Sequence, residues 1–314
     1  MTTWKHSIQV FASLVTLLAL ASYAWINREL LVGVTLFDLK TLSAITLFTV
    51  VGWFCISETS RPLIASCGYI ISIRSLFVST CSAIAGNYLP LRIGTIYRAM
   101  YIKHRCGLTL AEFGAVLVGQ ASISSTLSAT LLIGALVTTG TWAHQGWISV
   151  VGVALCVVLP LAGLLILPRR CSRWLLHFPR MRHAVRLSQG LELIGRNPRR
   201  LAVASAWHLG GVACSTARLW ILYHSFAIPI SVWGCLFITA AGSLSMLLSI
   251  TPGGLGIREG VISVLGVMYG VPLETGLMVA TLERGIHMLG ALLIGGPSLL
   301  WVTRELAKSS RVQT

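Results

Sequence analysis

Residues 230–260 read ISVWGCLFITAAGSLSMLLSITPGGLGIREG, and this stretch decides the fold class. Its first part, Ile230–Ile250, carries no charge and is about as long as the ~20 residues that span the hydrocarbon core of a bilayer. In lipid such a run must be a helix, because a helix satisfies its backbone groups internally. Proline and three glycines then interrupt the run at Thr251–Gly256, and charged residues follow at once. The pattern predicts a broken helix within a membrane.

The remaining composition extends this interpretation to the whole chain. The sequence is 55% hydrophobic and 11% charged, whereas a soluble domain carries about 25% charged residues. We predict an all-α, polytopic integral membrane protein with a single transmembrane domain over residues 1–314. Apolar runs of near-spanning length occur at Ser7–Ile26, Leu39–Ser57, Leu110–Val137, Trp147–Leu167, Leu201–Tyr223, Ile230–Ile250 and Thr275–Val302.

The positive charge is concentrated in one loop. Residues 169–200 hold nine arginines against one acid, Glu192, within a net charge of +15. The positive-inside rule makes this basic loop cytoplasmic, and Lys5 and the basic tail place both termini and Glu58–Pro62 on the same side. Both termini are therefore predicted to be cytoplasmic, in a protein that we predict to lie in the bacterial inner membrane. Anionic lipids could bind the basic loop, although topology alone explains its arginines. Nucleic-acid binding is not expected, because no folded basic domain lies outside the membrane.

Two segments begin and end on the same side when crossings are counted outward from the basic loop. Residues 63–102 are interrupted by NYLPLRIG at 87–94, and residues 230–271 are interrupted at 251–256. A continuous helix does not tolerate an internal proline cheaply. We therefore predict two re-entrant hairpins of broken helices, the first entering from the cytoplasm and the second from the opposite face.

With these hairpins the two halves of the chain match in opposite orientation. Repeat 1 covers about residues 7–137 and repeat 2 about residues 147–302. Pro90-x-x-x-Gly94 corresponds to Pro252-x-x-x-Gly256, and in this register Gln120 lies opposite Glu283. Inverted repeats with interrupted hydrophobic segments indicate a transporter with its site near the midplane. Chance similarity of Pro/Gly motifs is the alternative.

The second break is the strongest candidate for a binding site. A helix restarting near Ile257 would present unpaired N–H groups and a positive dipole end, and Arg258 adds a cation that can grip a phosphate. The alternative is a plain break in which Arg258 and Glu259 pair with their neighbours. The candidate substrate-binding residues are Arg92, Arg98, Pro252, Gly253, Gly254, Gly256, Arg258, Glu259, Glu283, Arg284 and His287.

Glu283 and Arg284 lie in the middle of the last apolar run. A charge at that depth costs at least ~2.5–3.5 kcal/mol, so a benefit is expected in return. The benefit is either function, with His287 one turn away as a partner in proton transfer, or a structural salt bridge. Arg258 or Arg98 could form that bridge, and Arg218 is a further candidate.

Catalytic and metal-binding patterns are not found in the sequence. It contains no Gly-x-Ser-x-Gly elbow, P-loop or His-Glu-x-x-His, and its eight cysteines are scattered singly. We therefore expect neither an enzyme nor a bound cofactor or metal.

At these residues the chain resembles the lysylphosphatidylglycerol synthase transmembrane (flippase-like) family. The resemblance is carried by Leu89-Pro90-x-Arg92-x-Gly94-x-x-x-Arg98 and by Pro252-Gly253-Gly254-Leu255-Gly256-Ile257-Arg258-Glu259, with Glu283-Arg284 downstream. It implies movement of a lipid between leaflets. We expect a stand-alone member without the aminoacyltransferase domain. Gln120-Ala121 departs from the acidic-basic pair that the resemblance implies in the first repeat. This indicates that the charged residues of the site come from the second repeat.

The predicted function is translocation of a phospholipid or polyprenyl-linked lipid whose anionic headgroup carries a phosphate. The alternative is an integral-membrane enzyme or accessory that modifies a lipid carrier in envelope glycan synthesis. Enzymes of envelope biosynthesis are the expected protein partners.

Overall fold

The computed structural model describes residue 22 and residues 38–88, 93–139, 182–245 and 256–312. The predicted apolar runs Ser7–Ile26 and Trp147–Leu167 lie outside the described residues, apart from residue 22. Within the described ranges the chain is helical and contains no strand. The helices are α1 (Leu39–Ser66), α2 (Ile73–Gly86), α3 (Ile93–Cys106), α4 (Leu110–Thr139), α5 (Arg182–Gly195), α6 (Pro198–Ser225), α7 (Val232–Ser245), α8 (Ile257–Val267), α9 (Leu273–Gly290), a π-helical turn (Ala291–Gly295) and α10 (Gly296–Val312).

Three of these helical segments are long and apolar enough to cross a membrane: Leu39–Ser66, Leu110–Gly134 and Leu273–Lys308. The last combines α9, the π-helical turn and most of α10. Ile73–Gly86 and Val232–Ser245 are apolar but shorter. The prediction of an all-α, multi-pass membrane protein is confirmed at this level. The predicted run Leu201–Tyr223 lies within α6, whose 28 residues extend about 42 Å at 1.5 Å per residue.

Helix α1 extends beyond the apolar run Leu39–Ser57 that predicted it. It continues through Glu58–Pro62 to Ser66. Proline removes one helical hydrogen bond and usually kinks the helix. Burial offsets that cost here, because Leu63 and Ile64 in the next turn are completely inaccessible to solvent. The first four residues of the predicted hairpin segment 63–102 are therefore the last turn of α1.

The short helices α2 and α3 form a tightly packed pair. A Cβ atom on Gly94 would lie 2.3 Å from the carbonyl oxygen of Ala83, and one on Gly86 would lie 2.5 Å from Cα of Gly94. Only glycine permits this backbone approach. Asn87 Oδ1 accepts hydrogen bonds from the backbone N–H of Thr95 at 3.1 Å and from its hydroxyl at 3.0 Å. These contacts hold the end of α2 against the beginning of α3.

Helix lengths and turns recur between the two halves of the described chain. Helices α1 and α6 both have 28 residues, and α2 and α7, which follow them, both have 14. Gly68 and Ala227 each lie two residues after the longer helix and have positive φ angles of 89° and 56°. Gly107 and Gly270 have φ angles of 80° and 77°, and each precedes the start of a long helix, α4 or α9, by three residues.

Apolar side chains pack in two large clusters, one toward each end of α1. The first cluster contains Ile45 of α1, with Leu219 and Val279 from other helices. The second contains Leu63 of α1 and Phe113 of α4. Between them lie the buried residues Thr49 and Trp53 of α1. Trp53 belongs to a third, smaller apolar cluster with Cys81 and Ala291.

Candidate functional site

Glu283 of α9 is the centre of a buried ionic cluster. Its side chain is only 2% exposed. Its Oε1 atom accepts hydrogen bonds from Nε and Nη2 of Arg218, at 3.2 and 2.5 Å, and from Nη2 of Arg258, at 2.9 Å. Arg218 also donates from Nη1 to the hydroxyl of Thr49 at 3.3 Å. The carboxylate therefore joins four helices, α1, α6, α8 and α9.

A second ion pair lies directly beside the first. Nε of Arg284 is 3.4 Å from Oε1 of Glu259, and the two side chains are 6% and 2% exposed. Residues 258 and 259 are adjacent on α8, as 283 and 284 are on α9. Consecutive arginine and glutamate residues on one helix thus meet consecutive glutamate and arginine residues on the other. The structure contains the predicted salt bridge between Glu283 and Arg258. Glu283 also pairs with Arg218.

The beginning of α8 differs in detail from the expected phosphate site. The helix starts at Ile257, as predicted, and Gly256 precedes it with a φ angle of +88°. The backbone N–H of Gly256 donates to Oε2 of Glu259 at 2.8 Å. A carboxylate of the protein therefore already occupies part of this helix terminus. Arg92, Pro252, Gly253 and Gly254 lie outside the described residues.

The charges of the described cluster do not cancel. Three arginines, Arg218, Arg258 and Arg284, face two carboxylates, Glu259 and Glu283, so the sum is +3 − 2 = +1. Unpaired charge in a low-dielectric interior is costly. Arg258 is the most accessible of the three arginines, with its side chain 18% exposed. An anion bound beside Arg258 would make this group of residues neutral.

An aromatic chain borders the ionic cluster. The indole Nε1 of Trp53 donates to Nε2 of His287 at 3.0 Å, and the hydroxyl of Tyr88 is 2.9 Å from Nδ1 of His287. The guanidinium carbon of Arg284 lies 5.1 Å from the centre of the Tyr88 ring, within the range of a cation–π contact. Tyr88 lies two residues after the end of α2, so the end of the α2–α3 pair contacts the ion pairs formed by α8 and α9.

Arg98 is buried elsewhere in the molecule. Its side chain donates from Nη2 to the hydroxyl of Ser60 at 2.7 Å, and its guanidinium lies 5.8 Å from the ring centre of Phe113. Its Nε is buried without a hydrogen-bond partner among the described residues. The structure therefore brings together Arg258, Glu259, Glu283, Arg284 and His287 of the predicted set, and no contact in the described chain connects Arg98 to them.

Several residues of the cluster were not assigned from the sequence. Arg218 was one of several possible partners, marked only by its charge within an apolar run. Tyr88 lay within a recognised break but had no assigned role. Trp53 and Thr49 carried no signal, because an aromatic or a threonine within a membrane helix is ordinary. Residue type and spacing could thus identify the charges but not the side chains that position them.

Comparison with known proteins gives one match. No curated protein and no solved structure matches the chain. The sequence profile of the lysylphosphatidylglycerol synthase TM region matches residues 8–295, which is most of the chain. This family connects the protein to membrane-bound lipid modification or translocation. The chain belongs to the lysylphosphatidylglycerol synthase transmembrane family.

Proposed function

We propose that the protein is a flippase, which moves a phospholipid or polyprenyl-linked lipid with an anionic headgroup between the two leaflets without modifying it covalently. The observation that carries this proposal is the buried cluster of net charge +1 formed by Arg218, Arg258, Glu259, Glu283 and Arg284. A headgroup phosphate bound beside Arg258 would neutralise the cluster. The family and the membrane-spanning helices support a lipid as the molecule that carries this phosphate.

Two inverted repeats are part of this proposal. The equal lengths of α1 and α6 and of α2 and α7 support it, as do the matching positive φ angles after them. Applying the offset between the ends of α1 and α6, 225 − 66 = 159 residues, pairs Arg218 with Thr59. The register of the sequence pairs Glu283 with Gln120. The salt bridge between Arg218 and Glu283 in the second repeat thus corresponds to the uncharged residues Thr59 and Gln120 in the first. This supports a binding site whose charged groups come from the second repeat.

Each repeat would contain one re-entrant hairpin, α2–α3 in the first and α7–α8 in the second. The first pair packs near the end of α1 where Leu63 lies, since Leu76 and Ile102 belong to the same apolar cluster as Leu63. The second pair packs near the other end, where Cys235 and Ile262 join the cluster of Ile45. The contact between Tyr88 and Arg284 supports a meeting of the two inner ends near the midplane. Transporter sites are commonly built at such a meeting of broken helices.

We place the protein in the bacterial inner membrane with both termini in the cytoplasm. In this orientation the two ends of α6 lie on opposite sides. A single cysteine introduced at Arg196 should react only from the cytoplasmic side, and one introduced at Ala227 only from the periplasmic side. An impermeant maleimide applied to intact cells and to inverted vesicles, in a cysteine-free background, measures this. Labelling of both positions from the same side would contradict the topology.

Reconstitution tests the activity itself. Liposomes containing the purified protein and phosphatidylglycerol with a fluorescent acyl chain should show bleaching of the inner-leaflet probe by an impermeant reductant, beyond the level in protein-free liposomes. Mass spectrometry of the same lipids should find no new covalent product. A modified lipid together with background exchange would favour a lipid-modifying enzyme and would contradict the proposal.

Replacing Arg258 with lysine should slow the exchange of phosphatidylglycerol by about 10-fold or more. Nη2 of Arg258 binds Glu283, and the rest of the guanidinium can donate to a phosphate in a planar geometry that an ammonium does not reproduce. Hydrogen bonds to charged groups contribute about 1.5–3 kcal/mol, which is roughly 10- to 150-fold. Arg186→Lys, at an exposed position on α5, is the matched control and should exchange lipid at the parent rate. Equal rates for both variants would mean that Arg258 does not bind the headgroup.

Anionic lipids are also proposed as partners at the cytoplasmic surface. A shallow pocket between the end of α1 and the beginning of α6 is lined by Arg61, Pro62, Ala65, Arg199, Arg200 and Val203. Three arginines beside apolar atoms suit a phosphate headgroup with its first acyl carbons.

A further inference from the structure

The protonation state of His287 follows from its two neighbours. An indole N–H can donate a hydrogen bond but cannot accept one. Because Nε1 of Trp53 is 3.0 Å from Nε2 of His287, Nε2 must be the accepting nitrogen and carries no proton. A neutral imidazole then carries its proton on Nδ1. His287 is therefore a neutral side chain with the proton on the nitrogen that faces Tyr88.

The direction of the next hydrogen bond is fixed by the same reasoning. Nδ1–H of His287 donates to the hydroxyl oxygen of Tyr88, 2.9 Å away. The hydroxyl of Tyr88 accepts this hydrogen bond and consequently does not donate its own proton to His287. Among the described residues, no other acceptor forms a hydrogen bond with this hydroxyl. Within this part of the chain, the hydroxyl proton of Tyr88 is therefore available to a molecule that arrives.

The position of Tyr88 indicates what that molecule is. Its ring stacks on Arg284, the side chain is partly exposed, and the neighbouring ionic cluster carries net positive charge. An oxyanion held by that charge would accept the hydroxyl proton in a short, charge-assisted hydrogen bond. A cation would meet repulsion from the arginines and would find a donor where it needs an acceptor.

We propose that Tyr88 donates a hydrogen bond to a phosphate oxygen of the lipid headgroup, and that His287, fixed by Trp53 as the Nδ1–H tautomer, positions Tyr88 and does not carry protons. This inference rests on the proposed lipid ligand and adds a binding residue from the first hairpin. The site would then take its positive charge from the second repeat and a neutral donor from the first.

Equilibrium binding separates this inference from transport. Fluorescent phosphatidylglycerol should bind the purified protein in a zwitterionic detergent, and Tyr88→Phe should weaken that binding by about 10-fold, because only the hydroxyl is removed. Fluorescent diacylglycerol, which lacks the phosphate, should bind both proteins equally. Unchanged phosphatidylglycerol affinity in Tyr88→Phe, or an equal loss for both lipids, would overturn the proposal. Tyr88-dependent binding without exchange would instead contradict only the flippase function.

The tautomer of His287 can be measured directly, and this measurement does not depend on the role of Tyr88. In protein labelled with ¹⁵N-histidine, the signals that disappear in His287→Gln should show a proton on Nδ1 and none on Nε2 between pH 5 and pH 8. The charged groups nearest to His287 are Glu283 and Arg284 on its own helix and Arg218 and Arg258 on α6 and α8.

Removing the indole donor provides the complementary experiment. Trp53→Phe removes the indole donor and frees Nε2, so the Nε2–H tautomer should become populated beside the Nδ1–H tautomer while the imidazole stays neutral among the nearby arginines. An Nε2–H tautomer or an imidazolium in the parent at pH 7 would overturn the assignment, as would a Trp53→Phe spectrum identical to that of the parent.

Discussion

Replacing Glu283 with alanine is expected to destabilise the protein by about 3–5 kcal/mol, because it leaves two buried arginines without their shared carboxylate. Arg218 and Arg258 both donate to the same oxygen atom, so one substitution removes the partner of each. Most of the variant should fail to accumulate in the membrane. The remainder should melt well below the parent in a detergent-based thermal unfolding assay monitored by size-exclusion chromatography.

The control for Glu283→Ala is the same substitution at Glu192. This residue pairs with Arg196 one turn away on α5, and the arginine side chain is 64% exposed. Exposed pairs of this kind contribute only about 0–1 kcal/mol. The double variant Glu283→Ala/Arg218→Met should recover part of the lost stability, because it removes one of the uncompensated charges. A Glu283→Ala protein that melts at the temperature of the parent would contradict a structural role for the cluster.

Substituting alanine for Gly94 is expected to be of similar severity. The new methyl group would lie 2.3 Å from the carbonyl oxygen of Ala83 and 2.8 Å from the backbone nitrogen of Asn87. Overpacking usually costs about 1–3 kcal/mol. Here we expect about 3 kcal/mol or more, since both obstructing atoms belong to the backbone and cannot rotate away. The same thermal unfolding assay measures the effect, and binding of phosphatidylglycerol should be lost with the displacement of Tyr88.

Gly260→Ala is the matched control in the other short helix pair. A Cβ atom at Gly260 would meet no atom of the described residues within 4 Å, and alanine is favoured over glycine in a helix by about 1 kcal/mol. This variant should therefore be as stable as the parent or slightly more so. If Gly94→Ala and Gly260→Ala melt at the same temperature, the close packing of α2 on α3 is not important for stability.

The lengths of the apolar runs and the placement of glycine predicted much of the described fold. Helix α8 begins at Ile257, as the three glycines before it indicated, and Glu283 is buried in a membrane-spanning segment as its apolar surroundings required. The apolar run Leu39–Ser57 covers only part of α1, because the last nine residues of the helix, through Pro62 to Ser66, depend on tertiary burial that the local sequence does not contain. An apolar run thus indicates a helix, and burial decides how far that helix extends.

The partners within the site were less predictable. Arg258, Arg98 and Arg218 were all candidate partners of Glu283, and Glu283 meets Arg258 and Arg218. The choice depends on how each helix is rotated about its own axis, and a nearly uniform apolar run fixes that rotation poorly. Trp53 shows the same limitation, since its role depends entirely on His287, which lies 234 residues away in the sequence.

The π-helical turn Ala291–Gly295 allows one continuous membrane segment to serve two different neighbourhoods. Such a turn holds one residue more than an α-helical turn, and each residue of an α-helix corresponds to about 100° of rotation. Before the turn, His287 faces the ionic cluster. At its end Gly295 lies against Cys81 of α2, and beyond it Glu305 pairs with Arg105 of α3. The extra residue rotates the second half of the segment relative to the first, so a single helical segment contributes Glu283 and His287 to the ionic cluster and Glu305 to the surface of α3.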